Sequence, residues 1–239
     1  MATTGPAVTP PFPRAVLAAM IDHTLLRPEA TQLEVEALWA EACQLSVFAV
    51  CVNPSMLPIT SLLTSVSGSP VHVATVIGFP SGAHQASVKA DEAARAVQTG
   101  ATELDMVINL GLAKQGKWGL VVDEISRVRA IAPDVLLKVI LESAVLTTDE
   151  IVHACRAAEA SGADFVKTST GFHPAGGATI EAVEIMRASV GDRLGVKASG
   201  GIRTTEQALD MVRAGASRLG TSATAAILDG LTGREPAAL

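Results

Sequence analysis

Residues 162–172 read GADFVKTSTGF, and the division of that stretch decides the fold. Gly162-Ala163 ends an amphipathic run, Asp164 to Val166 has the β-branched and aromatic character of a short buried strand, and Thr168 to Gly171 is loop chemistry. Lys167 stands where strand gives way to loop. The same joint recurs at Gly100-Ala101 and Gly215-Ala216, each between an amphipathic stretch and an apolar one. Glycine suits the left-handed residue just past a helix end, so one helix-to-strand turn is used repeatedly.

Outward from these joints, short apolar runs lie at 48–52, 71–79, 102–108, 135–141, 164–167 and 194–197, each reading as a strand buried on both faces. IDHTLL at 21–26 and SRLGTSA at 217–223 supply a first and a last strand. Between them, Thr31 with Glu34, Thr147 with Glu150 and Thr204 with Gln207 have the spacing of capping boxes. Eight strand-then-helix units predict an α/β fold, a single-domain (β/α)8 TIM barrel over residues 14–230, with flexible tails at 1–13 and 231–239. The same alternation permits an open doubly wound sheet.

Composition bounds the function. The chain has 239 residues, 49% hydrophobic and 18% charged, enough to bury one large core. A net charge of -6 argues against nucleic acid as a partner, because phosphate backbones need dense basic surfaces. Apolar runs such as VLLKVIL are too short to span a membrane. Cys43, Cys51 and Cys155 form no C-x-x-C pair and are odd in number, which fits a reducing, cytoplasmic setting.

Four polar residues interrupt the strands at regular intervals. Asp105, Lys138, Lys167 and Lys197 are 33, 29 and 30 residues apart, close to the length of one βα unit. One falls on each successive strand, so in a barrel all four converge on a single pocket if they face inward. Three of the chain's six lysines occupy these equivalent places. A free lysine is neutral in only about one molecule in 2,500 at pH 7. A second ammonium ~6 Å away, at an effective dielectric of ~20, costs the charged form about 3 kcal/mol, and burial adds to that. Lys167, at its strand end, is the expected nucleophile toward carbonyls, with Lys197 the neighbour that lowers its pKa and Asp105 the proton carrier. Asp105 neutralising Lys197 or Lys138 is compatible with that role.

Ser199-Gly200-Gly201 lies between a strand and a helix, and LGTSA at 219–223 repeats the arrangement after the last strand. Backbone N–H groups in such loops suit an anion, and barrels often bind phosphate after strands seven and eight. The five histidines show no metal-ligand spacing, so no metal is expected. Asp22 and His23 are placed to reach the barrel mouth. Cys51 and Asn53 share strand parity and are expected to line the same pocket, Cys51 as a small apolar residue rather than a nucleophile, and Lys138 is counted with Cys51 among the substrate-binding residues.

Taken together, IDHTLL, FAVCVNP, VIGFPSG, ELDMVINLG, LKVILE, DFVKTSTGF, VKASGGIR and RLGTSA resemble the deoxyribose-phosphate aldolase family from about residue 15 to 229. The resemblance implies a class I aldolase that needs no cofactor and reversibly cleaves 2-deoxy-D-ribose 5-phosphate to D-glyceraldehyde 3-phosphate and acetaldehyde, in deoxyribonucleotide catabolism. It implies that Lys167 forms the Schiff base while Lys197 and Asp105, with a water, handle protons. It assigns the substrate phosphate to Thr170, Gly200, Gly201, Gly220 and Ser222, and implies a homo-oligomer, dimer or tetramer. Two departures stand out: the chain has no tyrosine, where some members use a C-terminal one, and Phe172 replaces a lysine that some members carry after TSTG. A transaldolase-like Schiff-base enzyme and a noncatalytic sugar-phosphate-binding barrel remain as alternatives.

Overall fold

The computed structural model describes residues 12–59 and 71–232. Its elements run α1 (Arg14–Ala18), β1 (Ile21–Leu25), α2 (Gln32–Leu45), β2 (Ala49–Val52), β3 (His72–Ile77), α3 (Ala86–Gln98), β4 (Glu103–Val107), α4 (Leu110–Lys114), α5 (Trp118–Ile131), β5 (Leu136–Ile140), α6 (Thr148–Ala160), β6 (Phe165–Lys167), α7 (Ile180–Val190), β7 (Gly195–Ser199), α8 (Thr205–Arg213), β8 (Arg218–Thr221) and α9 (Thr224–Thr232). Each expected strand is present, within about two residues of its expected ends. The expected tails fall outside the described residues except for Phe12, Pro13, Leu231 and Thr232, and Phe12 and Leu231 pack on the core.

All neighbouring strands are parallel, and β1 pairs with β8 through Ile21↔Leu219, Asp22↔Gly220 and His23↔Thr221. That pairing closes the barrel and excludes the open sheet. Three capping boxes start α2, α6 and α8 with the expected residue pairs. At the other helix ends, Gly100, Gly162 and Gly215 have φ of 104°, 74° and 113°. The following alanine N–H in each case bonds back to the carbonyl five residues earlier, Ala96, Ala158 and Met211. Ser46, with φ of 54°, makes the same turn after α2, and Val47 N–H bonds to the Ala42 carbonyl. The sequence hides this fourth copy because the glycine is missing.

Strand alternation then sorts the side chains. Val50, Val52, Leu104, Met106, Leu137, Val139, Val166, Val196 and Leu219 join the helices in one continuous apolar layer. Inward from β2 and β3, Cys51, Ala74 and Val76 form a small separate cluster with Leu26. Much of the remaining interior is charged: Asp22, Glu103, Asp105, Lys138, Lys167, Lys197 and Arg218 are all buried. Among the described residues no helix is long and apolar enough to cross a membrane.

Candidate active site

The register of the strands brings the charged side chains together. Asp105 is level with Lys138 on β5, and Lys167 is level with Lys197 on β7. The Lys167 and Lys197 Nζ atoms each lie 2.8 Å from the same Asp105 oxygen, Oδ2. They are therefore within twice that distance of each other. The second Asp105 oxygen accepts from Lys138 at 2.7 Å. Lys138 also donates to Glu103 at 2.5 Å, and Lys197 to Asp22. Arg218 donates to Asp22 at 2.9 Å and reaches Glu103 at 3.5 Å.

The four expected strand residues thus form one network, but Asp105 is not its sole carboxylate. Asp22, Glu103 and Arg218 complete it. Glu103 is two residues from Asp105, and Arg218 two from Gly220, so same-face spacing carried a signal for both. Asp22 and His23, expected together at the mouth, separate: adjacent strand residues point to opposite faces. Asp22 enters the barrel, whereas His23 turns outward to Glu41 on α2 at 3.2 Å and to Thr224 on α9 at 2.8 Å.

Electrostatically the three lysines differ. Burial pushes the Lys167 pKa down; Asp105 opposes that, and Lys197 adds to it. Burial also works against a charge on Lys197 and Lys138, but there the carboxylates win and both pKa values rise. Asp105 and Asp22 behave conversely: burial disfavours their charge, yet the surrounding lysines hold both carboxyls well below the usual range. At neutral pH the arrangement therefore offers a depressed amine beside a firmly protonated one, joined through an ionised carboxylate.

A cleft of about 380 Å³ opens above this network, lined by Lys167, Thr170, Gly200, Gly201, Gly220 and Ser222 among others. Lys167 is the one lysine of the three that reaches it; Lys138 and Lys197 have no exposed surface. Lys138, expected among substrate-binding residues, touches Asp105 and Glu103 beneath the floor. Cys51 likewise does not line the cleft, and burial pushes its thiol up to about 11, so it is a packed, protonated side chain. Asn53 ties the loop after β1 by donating to the Leu26 carbonyl at 3.2 Å.

The loops around the cleft are held by backbone. Glu142, in the left-handed region at φ 55°, accepts from the Thr170 N–H at 3.3 Å and from its hydroxyl. That fixes the TSTG loop and engages the Thr170 hydroxyl proton. A Cβ on Gly177 would come within 2.1 Å of the Gly200 carbonyl oxygen, so the loops after β6 and β7 meet where only glycine fits. Gly220 leaves room for Lys197, whose Cε would lie 3.1 Å from a Cβ there. Arg27 and Arg203 also line the cleft, a basic pair that the glycine motifs alone did not reveal. Phe172 packs edge-to-face on Phe79 at 5.1 Å, so the rim after TSTG is aromatic.

Comparison with known proteins agrees with this geometry. The DeoC/LacD family aldolase model matches residues 16–233. A deoxyribose-phosphate aldolase of Kocuria rhizophila is 59% identical over 219 residues, covering 91% of this chain and 98% of the relative. One from Mycobacterium tuberculosis is 58% identical over 223 residues, covering 92% and 97%. Among solved structures, the tetrameric deoxyribose phosphate aldolase of Aeropyrum pernix superposes with a TM-score of 0.85 at 33% identity, covering 92% of each chain.

Proposed function

The chain belongs to the DeoC/LacD family of aldolases and its activity is that of a deoxyribose-phosphate aldolase, a class I lyase; from that premise we propose that Lys167 is the Schiff-base nucleophile. One observation carries the assignment: of three buried lysines around Asp105, Lys167 alone opens on the cleft, and its pKa is the one that falls.

In the proposed mechanism the neutral Lys167 amine adds to the C1 aldehyde of the open-chain sugar phosphate. Loss of water leaves a protonated imine. The C3 hydroxyl gives up its proton, the C2–C3 bond breaks, and its electron pair enters the imine, which becomes an enamine as D-glyceraldehyde 3-phosphate leaves. Protonation at C2 and addition of water release acetaldehyde and restore the amine. Lys197, held protonated, is the proton donor toward the departing hydroxide. Asp105, already touching both amines through one oxygen, relays protons between them, directly or through a water. Gly200, Gly201, Gly220 and Ser222 bind the substrate phosphate, supported by the starts of α8 and α9 and by Arg203 at the cleft, while Thr170, whose N–H and hydroxyl both donate to Glu142, borders that site.

The reading extends to a homo-oligomer, dimer or tetramer, supported by the tetrameric relative, and to a cytoplasmic setting, supported by three free cysteines. Incubation with 2-deoxyribose 5-phosphate should yield acetaldehyde. Borohydride in the same mixture should add mass at Lys167, and Lys167→Ala should gain none. An adduct on Lys138 or Lys197 instead would overturn the assignment.

A further inference from the structure

The barrel interior contains four cationic side chains, Lys138, Lys167, Lys197 and Arg218, and three carboxylates, Asp22, Glu103 and Asp105, all buried. An enclosed cluster is most stable near neutrality, because an uncompensated charge has little solvent to relax into. One cation is therefore in excess. A guanidinium does not give up its proton in proteins, so the proton must come from a lysine.

Geometry selects which one. Lys138 contacts Glu103 and Asp105, with Asp22 at 3.7 Å, and Lys197 contacts Asp22 and Asp105. Lys167 has Asp105 alone, on an oxygen it shares with Lys197. Arg218 meanwhile draws on both remaining carboxylates, Asp22 and Glu103. It is fixed there by the Phe48 ring, whose centroid is 3.6 Å from the guanidinium carbon, and by Phe165 at 5.4 Å. Gly195 makes room for that second ring, since a Cβ would lie 2.1 Å from it.

We propose that Arg218, at the closed end of the barrel and without contact to the cleft, is a positioning residue whose fixed charge, delivered through Asp22 and Glu103, leaves Lys167 as the uncharged amine. The inference rests on Lys167 being the nucleophile. The groups acting directly on Lys167 are Asp105 from β4, Lys197 from β7 and the Cys51 thiol from β2, while Lys138 from β5 and Asp22 from β1 stand one contact further away, on Asp105 and Lys197. His72 on β3 lies at the closed end, stacked on Phe48 at 4.5 Å. Glu142, on the loop after β5, spends its carboxylate on Thr170, and Glu124 on Lys89 and the Asn109 N–H behind the barrel wall.

The test is the pH dependence of trapping Lys167 with acetaldehyde and cyanoborohydride, read by mass spectrometry of the whole protein and its peptides. Arg218→Met removes the surplus cation, and its trapping midpoint should rise by about one pH unit. Glu103→Gln removes a carboxylate, and its midpoint should fall by a similar amount. The double variant restores the original difference of one and should return close to the parent. A role in packing alone moves both single variants in one direction or neither, and either result overturns the proposal. If Arg218→Met does not fold, an unmoved midpoint in Glu103→Gln is sufficient to reject it. Absence of any Lys167 adduct in the parent protein would instead defeat the nucleophile assignment, a distinguishable failure.

Discussion

Asp105 is the residue on which the site turns, because the nitrogens of three lysines share its two oxygens. Asp105→Asn keeps the shape and removes the charge, leaving Lys138, Lys167 and Lys197 without their common partner. Breaking a buried ion pair from one side costs about 3 kcal/mol or more, so urea unfolding should show a loss of that size. Turnover should fall at least about a hundredfold, since proton transfer is lost as well. A variant as stable and active as the parent would remove Asp105 from both roles. Lys167 gives a second expectation. Its pKa is depressed, chiefly by burial, so it protonates as pH falls through that lowered value, and kcat/KM should decline on the acid side of the same midpoint. A kcat/KM profile flat through the trapping midpoint would contradict this. Lys167 and Asp105 were legible in the sequence because a charged residue in an apolar strand is conspicuous. Arg218 carried only its same-face spacing from Gly220, a weak signal, since it begins its strand and reads as a surface charge until the barrel closes over it.

At the scale of elements, the repeated helix-to-strand turn separates conformational strain from crowding. At Gly100 an added Cβ meets nothing within 4 Å, whereas at Gly215 it lies 2.7 Å from the Arg187 Cγ. Gly100→Ala should cost the left-handed penalty alone, about 1–2 kcal/mol. Gly215→Ala should cost about 1 kcal/mol more, from displacing a side chain bonded to the Gly215 and Leu194 carbonyls. Equal losses in denaturant midpoints would show that Arg187 moves freely. Ser46→Gly, at φ 54°, should gain about 0.5–1 kcal/mol by relieving the same penalty where the chain already bears it. The three glycine joints and three capping boxes were readable because their mechanism is local. Ser46 escaped because its left-handed turn is imposed by packing between α2 and β2 rather than signalled by residue type.

For the molecule as a whole, the charged interior sets the pH range of stability. Asp22 and Asp105 have folded pKa values depressed by the lysines around them against the opposing effect of burial. Their contribution is complete above the unfolded carboxylate value near ~3.9 and is lost as pH falls below it. Lys138 and Lys197 are raised, so theirs is complete below the unfolded lysine value near ~10.4 and is lost as pH climbs beyond it through the folded values. Urea midpoints measured against pH should therefore fall on both sides, and Asp105→Asn should flatten the acid limb. A full acid limb in that variant would place its origin elsewhere. The sequence by itself determined the eight-strand alternation, the turn chemistry and the placing of one lysine on each of three successive strands, because these follow from local pattern and from the length of one βα unit. Only the tertiary structure decided that β1 meets β8, that Asp22 and Arg218 join residues far away in the chain, that the lysines point inward, and that of the three Lys167 alone faces the cleft. Those facts depend on ring closure and strand register, which bring side chains within about 3 Å irrespective of their separation along the chain.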